Sequence, residues 1–152
     1  MLQRYKIEKI KFLNSCQLHL FLRKSICIFC RSDSTGSSRI GAWYFLPEKS
    51  SGRVEPLLET DTLILYLHGN SYNRSQSHRV GLYKHLIRQG FYVLAIDYRG
   101  FGDSSPVNLS EKTVVEDARA ALGWISDKLG DKAKVEYNTV ISKEKTFRDN
   151  IL

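Results

Sequence analysis

The residues best suited to chemistry stand where an apolar run stops. Residues 62–67 (TLILYL) lead directly into His68, Gly69 and Asn70. A buried strand that ends this way exchanges burial for a tight turn. Gly69 lets the backbone turn and approach a ligand closely. In such a turn the N–H of Asn70 or Ser71 can point outward and stabilise negative charge developing on an oxygen. Gly69, Asn70 and Ser71 are therefore the candidate oxyanion donors. A second polar cluster, residues 97–105 (DYRGFGDSS), follows the apolar run 91–96 (FYVLAI). Asp97 and Arg99 are of types that brace a loop by ion pairing or backbone bonds. His68 is suited to ordering its own loop through a hydrogen-bonded imidazole.

These loops need elements to position them. Residues 62–68 and 91–96 are apolar at nearly every position, as expected for central strands buried on both faces of a parallel sheet. Residues 40–46 (IGAWYFL) and 54–58 (VEPLL) read as two earlier strands joined by a turn, the second weakened by Pro56. Between the central strands, residues 77–89 carry Val80, Tyr83, Leu86 and Ile87 at helical spacing, and Gly90 is placed to end the helix. After the second loop, Ser110 offers an N-cap with Glu111 in the first turn. An apolar stripe from Val114 to Leu129 then runs until Gly130. Strand, helix, strand, helix predicts βαβ units and a mostly parallel sheet flanked by helices. Ligands of such sheets bind beyond the carboxyl ends of the strands, where both polar clusters lie.

The run L-x-x-H-G-N, followed by a helix, a strand and D-Y-R-G-F-G-D-S, resembles the first half of an α/β-hydrolase domain, in which His-Gly-x after the third strand supplies the oxyanion hole. Residues 64–104 resemble in particular the group of α/β-hydrolase domain-containing proteins 12, the monoacylglycerol and lysophosphatidylserine lipases, and more loosely their BEM46-like relatives. The match extends over about residues 39–132. It implies an α/β class with an incomplete hydrolase fold, a lipid ester as the substrate partner of the full-length relatives, serine-dependent hydrolysis, and no cofactor or metal. That family places its nucleophile in a G-x-S-x-G elbow after the next strand, with the acid and histidine later. This stretch of the chain reads KVEYNTVISKEK (134–145), and no G-x-S-x-G occurs in the sequence. No residue is therefore assigned a catalytic role, and His68, His78, His85, Asp97 and Ser104 are not promoted to a triad. The expected domains are a basic N-terminal extension (1–38), a partial hydrolase domain (39–134) and a divergent tail (135–152), as in a fragment, isoform or truncated gene model. The alternative, from a different class of function, is a non-catalytic binding or regulatory protein built on a half hydrolase sheet.

The formal charge of +7 is local. Residues 1–31 hold seven Lys/Arg against Glu8 alone, leaving sixteen basic against fifteen acidic residues in the other 121. That distribution speaks against nucleic acid as a partner, and fits a membrane-surface contact through residues 1–31. His19, Arg23 and Lys24 break the leader's apolar stretch too soon for a spanning helix. Cys16, Cys27 and Cys30 read as ordinary thiols, because their spacing is too compact for usual zinc modules. Two N-x-S sequons, at Asn73 and Asn108, would be glycan acceptors in a lumen. Localisation divides between cytoplasm for this chain and an endoplasmic-reticulum membrane for a full-length form resembling its relatives.

Without an elbow, the remaining features supply binding and an oxyanion donor alone, and losing triad members costs serine hydrolases about 10⁴- to 10⁶-fold in rate. The purified chain is expected to give no serine adduct with a fluorophosphonate probe. Stoichiometric labelling of any serine would overturn this.

Overall fold

The computed structural model describes residues 25–31, 38–50, 57–130 and 134–139, with backbone alone for 25–31, 128–129 and 137–139. Five strands and two helices follow in the order β1 (Ser25–Arg31), β2 (Arg39–Phe45), β3 (Thr62–Leu67), α1 (Ser77–Arg88), β4 (Tyr92–Ile96), α2 (Glu111–Leu129) and β5 (Lys134–Thr139). They form one sheet ordered β1-β2-β4-β3-β5. β3 runs parallel to β4 and to β5, while β2 is antiparallel to both of its neighbours, β1 and β4. All the strands except β2 therefore point the same way.

The apolar runs of β3 and β4 are explained by the two helices. Leu63, Leu65, Leu67, Leu94 and Ile96 face a core that includes Ala118, Ala121, Trp124 and Ile125 of α2. Ile64, Tyr66, Val93 and Ala95 face a second core with Val80, Tyr83 and Ile87 of α1. Alternate residues thus go to opposite helical layers, leaving no polar face on either strand. The chain leaves β3 through α1 to reach β4 on one side, then passes through α2 to β5 on the other. That reversal makes the carboxyl end of β3 a topological switch point, the position at which ligands bind in open α/β sheets.

The helix ends follow the sequence. Gly90, at φ 96°, lets its N–H reach the carbonyl of Ile87 while that of Phe91 reaches Leu86, the paired bonds of a Schellman stop. Ser110 caps α2: its hydroxyl accepts from the N–H of Thr113 at 3.2 Å, and the Thr113 hydroxyl accepts from the N–H of Ser110 at 2.9 Å.

Two expectations change at the ends of the domain, and a third falls largely outside the described residues. Residues 25–31, assigned by sequence to the N-terminal extension, form β1 and register with β2 from Ser25↔Phe45 to Arg31↔Arg39. In sequence, the Ser-rich residues 32–38 (SDSTGSS) lie between these two paired strands. Of the strand expected at 54–58, Leu57 and Leu58 alone fall among the described residues, and they belong to no strand; the N–H of Leu58 instead donates to Asp61 in a turn. The segment from Lys134 departs from the hydrolase sequence pattern yet forms β5, beside β3. Cys16 lies outside the described residues, and Cys27 and Cys30 register with Trp43 and Ile40. Among the described residues no helix is long and apolar enough to cross a membrane.

Candidate functional site

The loops leaving β3 and β4 are joined by one buried cation. Arg74 donates through Nη1 to Asp97 Oδ2 at 2.5 Å, and its backbone N–H donates to Asp97 Oδ1 at 2.6 Å. The same guanidinium forks onto Asp103, with Nη1 2.7 Å from Oδ1 and Nη2 3.0 Å from Oδ2. Its carbon centre lies 4.9 Å from the Trp43 ring centroid. Burial disfavours the charge on Arg74, but the two carboxylates outweigh that and raise its pKa further. Burial likewise works against the Asp103 carboxylate, and Arg74 overcomes it and holds the group below its usual range. For Asp97 burial prevails and pushes the carboxyl upward, with Arg74 pulling in the opposite direction. The geometry is that of an ionised pair, since both Asp97 oxygens accept bonds from Arg74.

Two glycines make this closure possible. A Cβ on Gly102, where φ is +52°, would fall 2.1 Å from Asp97 Oδ2. One on Gly41 in β2 would fall 2.0 Å from Asp103 Oδ1. Ser104 ties the same junction: its hydroxyl donates to the Asp97 carbonyl at 2.6 Å and accepts from the N–H of Gly41 at 2.9 Å.

The first loop is held from two further directions. His68 is fully buried, with its ring centroid 4.9 Å from those of both Tyr98 and Phe101. Its Nδ1 lies 2.7 Å from the Gly69 carbonyl oxygen. Because a carbonyl only accepts, Nδ1 carries the proton. Burial, supported by the nearby Arg79 and Arg74, lowers the His68 pKa against the opposing Gly69 bond and Asp97 charge. Its Nε2 stands 3.4 Å from Asp97 Oδ1. The N–H of Ser71 turns back to the same Gly69 oxygen at 2.8 Å. Arg79, buried in the first turn of α1, donates to the carbonyls of Ser71 and Asn73, each at 2.8 Å. Between those carbonyls sits Tyr72, the one non-glycine residue with positive φ among those described, at 57°.

The structure brings His68 and Asp97 together but sends Arg99 elsewhere. Arg99 Nε and backbone N–H both donate to Asp117 of α2, at 2.6 and 2.8 Å, and Nη2 reaches Glu116 at 2.8 Å. Asp97 and Arg99 therefore brace the second loop through separate partners, one toward β3 and the other toward α2. Among the donors named from sequence, Ser71 has its N–H engaged and Gly69 presents its oxygen to two donors. Asn70 is exposed at the turn. Sequence reasoning missed Arg74, Arg79, Asp103 and Asp117. The available signal was two arginines within six residues of a loop that ends a buried strand.

The sequence and the fold have counterparts. The chain is 41% identical over 103 residues to the lysophosphatidylserine lipase ABHD12 of Xenopus tropicalis, covering 60% of this chain and 26% of that protein. It is 44% identical over 92 residues to that of Danio rerio, covering 59% and 21%, and 35% identical over 100 residues to human Protein ABHD12B, covering 60% and 27%. The chain thus spans about a quarter of the length of the curated relatives it matches. Among solved structures, the Pyrococcus furiosus esterase Pf2001 superposes with a TM-score of 0.63 at 18% identity, over 91% of this chain and 48% of that one. An α/β serine hydrolase homologue from Coxiella burnetii superposes with a TM-score of 0.57 at 16% identity, over 74% and 50%. No protein-family model matches. The resemblance read from residues 64–104 holds, and the architecture is an incomplete α/β-hydrolase fold.

Arg74→Met, which keeps the volume and removes the charge, is expected to cost about 3–5 kcal/mol in urea unfolding, because Asp97 remains buried without its cation. Asp103→Ala, at a half-exposed position, should cost much less. A second test concerns pH. A buried histidine held below its ordinary value of 6.5 contributes stability that is complete above that pH. It is lost on acidification, as the unfolded chain takes a proton that the fold refuses. Between pH 7.5 and 5.5, wild type should lose more thermal stability than His68→Asn; equal slopes would refute the assignment.

Proposed function

We propose that the chain carries the oxyanion-side half of a serine-dependent hydrolase acting on lipid esters of the monoacylglycerol or lysophospholipid type, and that it turns over no substrate alone. The observation that carries this reading is the Gly69–Asn70 peptide unit. Its oxygen is fixed by two donors, His68 Nδ1 at 2.7 Å and the N–H of Ser71 at 2.8 Å. No peptide bond among the described residues is cis. In a trans unit the N–H opposes the C=O, so the Asn70 N–H is directed away from those donors. With the Ser71 N–H already engaged, Asn70 is the donor left to meet an oxyanion, and Gly69 keeps the approach open.

His68, Arg74, Arg79 and Asp97 act on this unit as positioning residues. They hold the turn rigid before charge develops, which is what makes an oxyanion donor effective. The names of the sequence relatives support a lysophospholipid as the ester, and the solved esterases share the fold alone. In this reading the nucleophile belongs to a longer form of the protein, and residues 1–31 supply a membrane-surface contact through their positive charge.

The test is a chimaera in which the segment of this chain that matches the mouse lysophosphatidylserine lipase ABHD12 replaces its counterpart there. Hydrolysis of lysophosphatidylserine should be retained. In that chimaera Asn70→Pro, which deletes the N–H, should lower kcat by about 10²- to 10³-fold with little change in KM. A folded chimaera without hydrolysis would overturn the functional reading, and full activity in Asn70→Pro would overturn the oxyanion assignment.

A further inference from the structure

We propose that Tyr72, together with Val107 and Leu109, forms a contact surface for the polar–apolar boundary of a neutral or zwitterionic lipid assembly. The inference rests on the reading of the carboxyl edge of the sheet as one that receives lipid esters.

Four large apolar side chains are strongly exposed among the described residues: Tyr72 (70%), Leu58 (64%), Leu109 (44%) and Val107 (37%). Leu58 precedes β3 and lies at the opposite end of the sheet. The other three come from the loops that leave the carboxyl ends of β3 and β4. Those loops are in contact. A Cβ on Gly102 would lie 3.4 Å from that of Asn73, and within the second loop one on Gly100 would lie 3.2 Å from the Val107 carbonyl oxygen. All three therefore belong to the two loops at the carboxyl end of the sheet.

Tyr72 is also held in place rather than merely left outside. At φ 57° its backbone adopts a conformation that bulky residues rarely occupy. The carbonyls on either side of it, those of Ser71 and Asn73, are gripped by the two terminal nitrogens of buried Arg79. A strained, exposed aromatic fixed at a ligand edge is pre-organised for contact. Tyrosine, with an apolar ring and a polar tip, suits a membrane–water boundary. The charge pattern selects the kind of surface. Arg74 and Arg79 are spent on internal partners, and Glu111 and Lys112, which follow Leu109, are of opposite sign. The crest thus carries no excess charge to favour an anionic surface.

The test uses the whole chain with Tyr72→Trp and phosphatidylcholine vesicles. Trp43 and Trp124 are 5% and 7% exposed and give a steady background. Added vesicles should shift the emission of residue 72 to the blue, brominated phosphatidylcholine should quench it, and high salt should leave both effects intact. In co-flotation without the reporter, Tyr72→Asn, which tolerates the backbone angle, and Val107→Ser/Leu109→Ser should each lower vesicle partition by about tenfold. Leu58→Ser should leave it unchanged. No shift would overturn the proposal. A shift confined to phosphatidylserine vesicles and abolished by salt would also overturn it, assigning binding to the basic residues 1–31 instead. So would a full response to a short-chain phosphatidylcholine below its micelle concentration, which would make Tyr72 a subsite for single lipids. Turnover is not measured, so this result is independent of whether the hydrolase reading stands.

Discussion

A guanidinium buried between two loops must be neutralised where it lies, and the neutralisation of Arg74 organises the carboxyl edge of this sheet. Its two carboxylate partners come from the end of β4 and from six residues further along the same loop. Meeting both requires the first loop to fold back across the second. The two carboxylates then lie so close against the backbone at Gly41 and Gly102 that neither position admits a side chain. The desolvation of three charged groups is costly, and in the low-dielectric interior it is offset only by near-complete hydrogen bonding. The geometry supplies that bonding, with all six contacts that hold this junction between 2.5 and 3.0 Å.

The same logic recurs on the other side of β4. Asp117 of α2 accepts both the side chain and the backbone N–H of Arg99, so the second loop is fixed to a helix as firmly as it is to β3. Neither arginine is free to reach a ligand, and what remains for ligand contact is backbone and exposed side chain. That division suits chemistry in which charge develops only transiently. A permanent cation at this edge would bind anions in the ground state, whereas a rigid peptide N–H rewards the transition state preferentially.

Much of the scaffold was legible because local rules agree with the fold. Alternating burial against two helices demands apolar runs in β3 and β4, a left-handed stop demands Gly90, and a first-turn cap demands Ser110. The strands at the ends were harder. β1 lies in a basic, interrupted stretch, and β5 (KVEYNT) has no continuous apolar run. Each is defined by the neighbour with which it pairs. The site was legible as a place more than as a mechanism. His68 and Gly69 announce a turn at a strand end, but Arg74 and Asp103 are 29 residues apart and Arg99 and Asp117 are 18 apart. In sequence, Arg74 reads as the middle of a sequon and Asp103 as a turn residue. Only the closeness of the two loops gives them partners.

Ser104 carries a consequence for the order in which the molecule assembles. Its hydroxyl stands between the Gly41 N–H and the Asp97 carbonyl, spanning 63 residues of chain to reach β2. Closing a loop of that length costs entropy before any contact offsets it. β2 must already lie against β4 for this bridge to form, because Gly41 and Asp97 share a backbone bond of 2.8 Å at the same point. The carboxyl edge is therefore a late product of folding, completed once the reversed strand has docked. By the same reasoning it can loosen while β3 and β4 remain paired.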